Sequence, residues 1–344
     1  MKKTGKLMMV LALGILMSLT GCSKKIVEGP RIGVIQLMEH TSLNMIYDSF
    51  KEELEALGYK DGENCTLVFK NAQGEQSNIG SIVSSFQSEK LDVVVAIATP
   101  TAQSAAKLAE TTPVIFSAVT DPIEAGLTTS LEHPDQNITG TSDEVAVEQI
   151  LDLALQLQPD LKTLGMVYNV GEVNSQTNIA KAKAAAEKLG LTVMEAPVAN
   201  TSEVAQAVQV LSEKCDALFS PNDNTVATAM STVTQITRSV QIPVYVGADS
   251  MVMDGGTATI GINYVDLGKE TARMVDQVLQ GIDVSAIPVK VFNQNLSIYV
   301  NADALEELQL TLPDSVTVEN VHLAESLMTL TYNIHSREDS EGAE

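Results

Sequence analysis

The chain has no tryptophan, and aromatic residues make up only 4% of it. Its cores must therefore be built from Val, Ile, Leu, Ala and Met. Basic residues are also scarce, with 21 Lys and Arg against 44 Asp and Glu. A formal charge of -23 excludes the basic surface that nucleic acid requires. Four histidines (His40, His133, His322 and His335) and three cysteines are scattered without metal-ligand spacing. No metal and no cofactor are expected. Catalytic signatures are missing too. There is no G-x-S-x-G elbow, no Walker-A lysine loop, no H-E-x-x-H and no G-x-G-x-x-G. These gaps speak against an enzyme. No apolar run is long enough to span a membrane comfortably.

The longest apolar run, Leu7 to Leu19, follows Lys2, Lys3 and Lys6 and ends in Leu19-Thr20-Gly21-Cys22. Charge, core length, small residues and a cysteine in register resemble a bacterial lipobox. Residues 1–21 are expected to be a signal peptide, with a lipid placed on Cys22 and a tether over 22–30. Removing the three leader lysines from a total of -23 leaves about -26 on the mature chain. With 44% hydrophobic residues that charge does not imply disorder. Cys65 and Cys215 sit in separate apolar segments and are expected as two buried free thiols.

Strand-like and helix-like runs alternate through the mature chain. Arg31–Leu37, Cys65–Phe69, Leu91–Ile97 and Pro113–Ser117 read as strands, the third through its unbroken run Val93-Val94-Val95-Ala96-Ile97. Leu43, Ile46, Phe50, Leu54 and Leu57 recur at helical spacing, and Gly58 stops that helix. A second series gives strands at Thr163–Tyr168, Leu191–Ala196, Ala217–Ser220 and Pro243–Gly247, with helices between. Ala258–Ile262, a helix over Val265–Leu279, and strands Ile287–Phe292 and Leu296–Val300 trail behind. The pattern predicts an α/β protein of two lobes with parallel sheets, the chain crossing between them more than once. Ser336–Glu344 is charged, almost without apolar residues, and expected to be disordered.

Ligands of open parallel sheets sit beyond the carboxyl ends of strands. Here those ends read Glu39-His40-Thr41-Ser42, Thr99-Pro100-Thr101, Thr120-Asp121-Pro122, Asn174-Ser175, Asn222-Asp223-Asn224 and Asp249-Ser250. They are rich in small polar groups and almost free of Lys and Arg. Taken singly, each is a normal turn or helix cap. Their uniformity in both halves points to one cleft lined from two sides. Asp121, Asp223 and Asp249 have the residue type for acid–base work, as paired carboxylates do in glycosidases, but a buried carboxylate facing a ligand ammonium is the simpler use.

The segments Ala98–Gln103, Phe116–Pro122, Tyr168-Asn169 with Asn174-Ser175, Ser220–Val226, and Gly247–Ser250 followed by Gly255-Gly256 occur together in one family. The chain resembles the ABC-transporter substrate-binding lipoproteins of the tryptophan/tyrosine-binding type. More distantly it resembles type I periplasmic binding proteins. The resemblance implies two Rossmann-like lobes joined by three hinge strands. It places 31–143 plus 251–283 in the first lobe, 144–250 plus 284–321 in the second, and a tail over 322–344. It implies a lipid-anchored, extracytoplasmic monomer that binds an amino acid, aromatic by family, and delivers it to permease subunits. The expected ligand residues are Thr99, Thr101, Thr120, Asp121, Asn174, Ser175, Asn222, Asp223, Asp249 and Ser250. Thr99 and Thr101 are assigned the carboxylate, and Asp249, then Asp223, the ammonium. Asn222 and Asp223 also match sugar-binding relatives, so a sugar or nucleoside receptor is the alternative. A surface-anchored hydrolase is a third reading, opposed by the missing nucleophile motif.

Overall fold

The computed structural model describes residues 27–294 and 296–312 and the backbone of 327–331. The expected leader over 1–21, Cys22 and the charged end from Ser336 lie outside the described residues.

Thirteen described strands form two sheets. The first carries β1 (Arg31–Gln36), β2 (Thr66–Asn71), β3 (Val93–Ile97), β4 (Val114–Ser117), β5 (Ile138–Ser142) and β11 (Lys290–Val291). Its order is β11-β5-β4-β3-β1-β2, and every pairing is parallel. β3 explains the apolar run, since all five of its residues are buried. At about 1.5–3 kcal/mol for each fully buried Val or Ile side chain, the strand contributes on the order of 6–12 kcal/mol to the lobe's apolar driving force. Helices Thr41–Ala56 and Tyr264–Leu279 pack together and the latter lies on β4 and β5. Gly268 permits that approach, because a Cβ there would stand 2.4 Å from the Ile46 carbonyl oxygen.

The second sheet adds β6 (Thr163–Asn169), β7 (Thr192–Val198), β8 (Ala217–Ser220), β9 (Val244–Val246), β10 (Ala258–Gly261), β12 (Ser297–Asn301) and β13 (Leu327–Thr331). Its order is β13-β12-β10-β9-β8-β6-β7. The strands β6 to β10 pair in parallel, while β12 runs antiparallel to both β10 and β13. Helices Val147–Leu157 and Val173–Lys188 pack as one pair, and Thr201–Ser212 with Met230–Ser239 as another.

Among the described residues the chain passes between the sheets three times, over 143–146, over 262–263 and between Val291 and Ser297. The lobe boundaries therefore differ from those expected. Residues 251–261 stay in the second lobe, because β10 pairs with β9 at Ala258↔Tyr245 and along β12. Residues 284–291 return to the first lobe, where β11 pairs with β5 at Lys290↔Thr141. The tail expected from 322 contains β13, which extends the second sheet. Cys65 and Cys215 are buried and free, as their apolar settings predicted, and burial pushes both thiols up.

Candidate ligand-binding site

Strand order decides where two loops diverge and leave a crevice. In the first sheet β2 lies to one side of β1 and β3 to the other, so the order reverses between β1 and β3. In the second sheet it reverses between β6 and β8. Such reversal points hold the ligands of open α/β sheets. The segments leaving these four strands carry His40, Thr99, Asn174 and Asn222, and all four line one narrow cavity of about 20 Å³ between the closed lobes. Ser42, Thr120, Asp143, Asp223, Asn224 and Tyr264 complete its polar wall. Leu43, Ala98, Ala118, Ala227, Ala248 and Met251 form its apolar wall, and no Lys or Arg among the described residues lines it. Ala98 and Ala118, at the ends of β3 and β4, hold φ of 83° and 56°. Non-glycine residues in that region carry strain, which concentrates at functional sites.

The lobes are closed on each other. Asn222 Nδ2 donates to Thr120 Oγ1 and Asp143 Oδ2, both at 2.8 Å. Its Oδ1 accepts from Asn178 Nδ2 at 2.8 Å. His40 Nε2 meets Asn224 Oδ1 at 3.0 Å, Thr41 Oγ1 donates to Asp254 Oδ1 at 2.9 Å, and Ser42 and Ser250 join through their hydroxyls. At the hinge, Tyr264 Oη donates to Asp143 Oδ2 at 2.8 Å, tying the first crossing to the second. Burial raises the Asp143 carboxyl, while hydrogen bonds from Tyr264, Asn222 and Thr120 work against that rise.

Behind the second lobe's wall lies Glu172, 5% exposed. It accepts from Asn224 N at 3.2 Å, from Asn224 Nδ2, from Thr225 N at 3.1 Å and Thr225 Oγ1 at 3.0 Å, and from Asn174 Nδ2 at 3.3 Å. Its neighbour Asp223 is fully enclosed. Asn169 N and Ser175 Oγ donate to Asp223 Oδ2 at 2.6 Å, and Val226 N donates to Oδ1 at 2.8 Å. Burial first, then the charge of Glu172, pushes the Asp223 carboxyl up to about 7. Its oxygens are thus committed to holding the turn, although the residue borders the cavity.

Three buried polar atoms on the wall have no protein partner: His40 Nδ1, Thr99 Oγ1 and Asn174 Oδ1. Leaving such an atom unpaired costs about 1–3 kcal/mol, so three of them on residues that line one cavity mark where a polar ligand is expected.

Of the residues singled out in sequence, Thr99, Thr120, Asn174, Asn222 and Asp223 line the cavity. Five do not. Thr101 turns its hydroxyl back to the Ile97 and Ala98 carbonyls at 2.6 and 2.7 Å. Asp121 caps its own turn, accepting from Ile123 N and Glu124 N at 3.1 and 3.0 Å. Ser175 supports Asp223. Ser250 spends its hydroxyl on Ser42. Asp249, 1% exposed, accepts from Ser250 N at 2.7 Å and stands beside the wall that Ala248 and Met251 form. Burial drives its carboxyl up to about 7. The sequence reading left out His40, Asp143 and Glu172, although His40 stands in the first strand-end segment. The reversal points of strand order would have found His40 and Glu172.

A wider groove of about 660 Å³ runs along the same lobe junction, past Glu39, Thr41, Arg238 and Asp254. It is open to solvent. Among the described residues, no group of three or more His, Cys, Asp and Glu could hold a metal ion.

Residues 31–323 match the family model described as ABC transporter substrate binding protein. The chain is 36% identical over 325 residues to a tyrosine-binding protein of Clostridioides difficile (strain R20291), covering 90% of this chain and 94% of that protein. It is similar to a crystal structure of a Streptococcus pneumoniae domain in complex with L-Trp, at 39% identity and TM-score 0.81, over 84% of this chain and 97% of that one. The ligand-free, open structure of a Clostridium difficile substrate-binding protein with adhesive properties is equally similar in sequence, at 39%, but superposes at only 0.64, covering 83% of this chain and 96% of that one. The lobe arrangement described above is therefore nearer to the liganded relative than to the open one.

Proposed function

This chain belongs to the ABC transporter substrate binding protein family, and from that premise we propose that it captures an aromatic amino acid, Trp, Tyr or Phe, for a membrane permease. The observation that carries the reading is that three residues lining one interlobe cavity, His40, Thr99 and Asn174, each bury an unpaired polar atom, Nδ1, Oγ1 and Oδ1. Two relatives narrow the class, one named as tyrosine-binding and one solved with L-Trp. Leu43, Met251 and the alanines offer small, flat apolar surface to a ring. The Thr99 hydroxyl is the donor proposed for the carboxylate, with Thr120 and Asn222 closing over the ligand. A ligand touching both lobes stabilises the closed form by its contacts there.

As a substrate-binding protein it works outside the cytoplasm. The lipobox reading adds that a lipid on Cys22 holds it, as a monomer, at the membrane beside its permease. Replacing Cys22 with serine should release the protein or leave an uncleaved precursor. Membrane retention without labelling by a fatty-acid probe would remove the anchor from the account.

Binding is tested by thermal shift and calorimetry on the mature chain with Trp, Tyr, Phe, ribose, inositol and nucleosides. Saturable stabilisation by the aromatic amino acids is expected, reaching about 2.7 kcal/mol at a hundred times Kd. Stabilisation by a sugar or nucleoside alone would replace the proposed ligand class.

A further inference from the structure

The unpaired atoms differ in what they accept, and this orients the ligand. Asn174 Nδ2 donates to Glu172 Oε2 at 3.3 Å and to the Asn222 carbonyl at 3.2 Å. That fixes the amide so that Oδ1, an acceptor only, is the atom left on the wall. Asn224 Nδ2 likewise donates to Glu172, which turns Asn224 Oδ1 toward His40. An amide oxygen accepts, so His40 Nε2 must carry the proton. The buried Nδ1 is then a bare lone pair. One carboxylate thus sets both amides and, through Asn224, the histidine tautomer.

Neither Asn174 Oδ1 nor His40 Nδ1 can receive a carboxylate. Both can receive N–H donors. From this geometry we propose that His40 Nδ1 and Asn174 Oδ1, one from each lobe, receive the ligand's ammonium, and that Glu172 is the positioning residue that presents them. The assignment rests on the amino-acid reading above. It moves the ammonium away from Asp249 and leaves the carboxylate to the Thr99 side. It also makes closure depend on the ammonium, because the two acceptors belong to opposite lobes. The Glu172 charge lies one hydrogen bond behind each amide, where it polarises the acceptors without losing its own bonds.

The test uses the mature protein, His40→Leu and Asn174→Leu, with three ligands. L-Tryptophan has both charges, tryptamine lacks the carboxylate, and indole-3-propionate lacks the amine. Each substitution should weaken L-tryptophan and tryptamine by about thirty-fold or more, the scale of losing one partner of a buried charged hydrogen bond. Indole-3-propionate should change by less than about threefold, within the usual spread of such measurements. Equal losses for all three ligands would make these residues structural and overturn the assignment. If wild type takes L-tryptophan and neither variant weakens it, the assignment fails while the amino-acid reading stands. If wild type takes no aromatic amino acid, both fail.

A second readout does not depend on variants that fold. With nitrogen-15 in the histidines, His40 of the free protein should show a protonated Nε2 and a bare Nδ1. L-Tryptophan should move the Nδ1 resonance to that of a hydrogen-bonded lone pair. Glu172→Gln should give a mixture of tautomers before ligand is added. A protonated Nδ1, or an Nδ1 resonance unmoved at saturation, would refute the proposal.

Discussion

Lowering the pH from 7.5 to 5.0 should weaken ligand binding through His40. In the closed form the imidazole is enclosed, and burial lowers its pKa to about 4, with the hydrogen bond to Asn224 opposing that fall. Opening the lobes breaks the 3.0 Å contact with Asn224 and returns the ring toward an ordinary pKa of about 6.5. The closed form thus prefers the neutral ring. Its advantage is complete above about pH 6.5 and is lost progressively as the pH falls toward about 4. At pH 5.0 the open form has taken up the proton and the closed form has not. The difference is about 1.5 pKa units, or about 2 kcal/mol, which is about thirty-fold in the closing equilibrium. At pH 7.5 it is negligible.

Neighbouring acids modify this slope. Burial raises Asp143, which bridges to Asn222 across the lobes, so its protonation on acidification favours closure and opposes the histidine. Asp223 keeps its partners within the second lobe in either state and largely cancels. Calorimetry of L-tryptophan should therefore compare wild type with His40→Gln at both pH values. Wild type should lose about thirty-fold more affinity between them than the variant does. Parallel pH profiles would show that His40 does not enter the closed cavity as a neutral ring, and the reasoning would fail.

Thr99→Val should weaken aromatic amino acids by about tenfold, whereas Thr101→Val should leave Kd within about threefold, because the Thr101 hydroxyl serves only its own turn. A calorimetric titration in which Thr101 matters more than Thr99 would reverse their roles. Asn222→Ala removes two bonds across the lobes, about 2–4 kcal/mol of closure, and small-angle scattering should show a larger radius of gyration without ligand. An unchanged radius would mean that other contacts close the protein. Gly268→Ala should lower thermal stability by about 1–3 kcal/mol through the clash with Ile46, and calorimetric unfolding would measure it.

Local physics made the lobes legible. Val93–Ile97 is apolar without interruption because both faces of β3 are covered, and Thr41–Ala56 shows its helical stripe because one face is buried where it meets helix Tyr264–Leu279. The lobe boundaries were less legible, since whether Lys290-Val291 joins β5 or the other sheet is settled by a partner almost 150 residues away. The same limit applies to the site. Polar strand ends are visible in sequence, but which two of them adjoin depends on strand order. Asp121 and Thr101 have the right residue types and spend them on their own backbone turns. Asp143 looks like a boundary residue and becomes the meeting point of Thr120, Asn222 and Tyr264. Glu172, inside an ordinary turn, gains its role only when β8 brings Asn224 and Thr225 beside it.

The most direct measurement is a crystal structure of the mature chain grown with L-tryptophan or L-tyrosine. The amino acid should lie between the lobes, its ring against Leu43 and Met251, its carboxylate near Thr99, and its ammonium between His40 Nδ1 and Asn174 Oδ1. An amino acid seated in the open groove beside Arg238, or a closed cavity that excludes it at saturating concentration, would contradict the account.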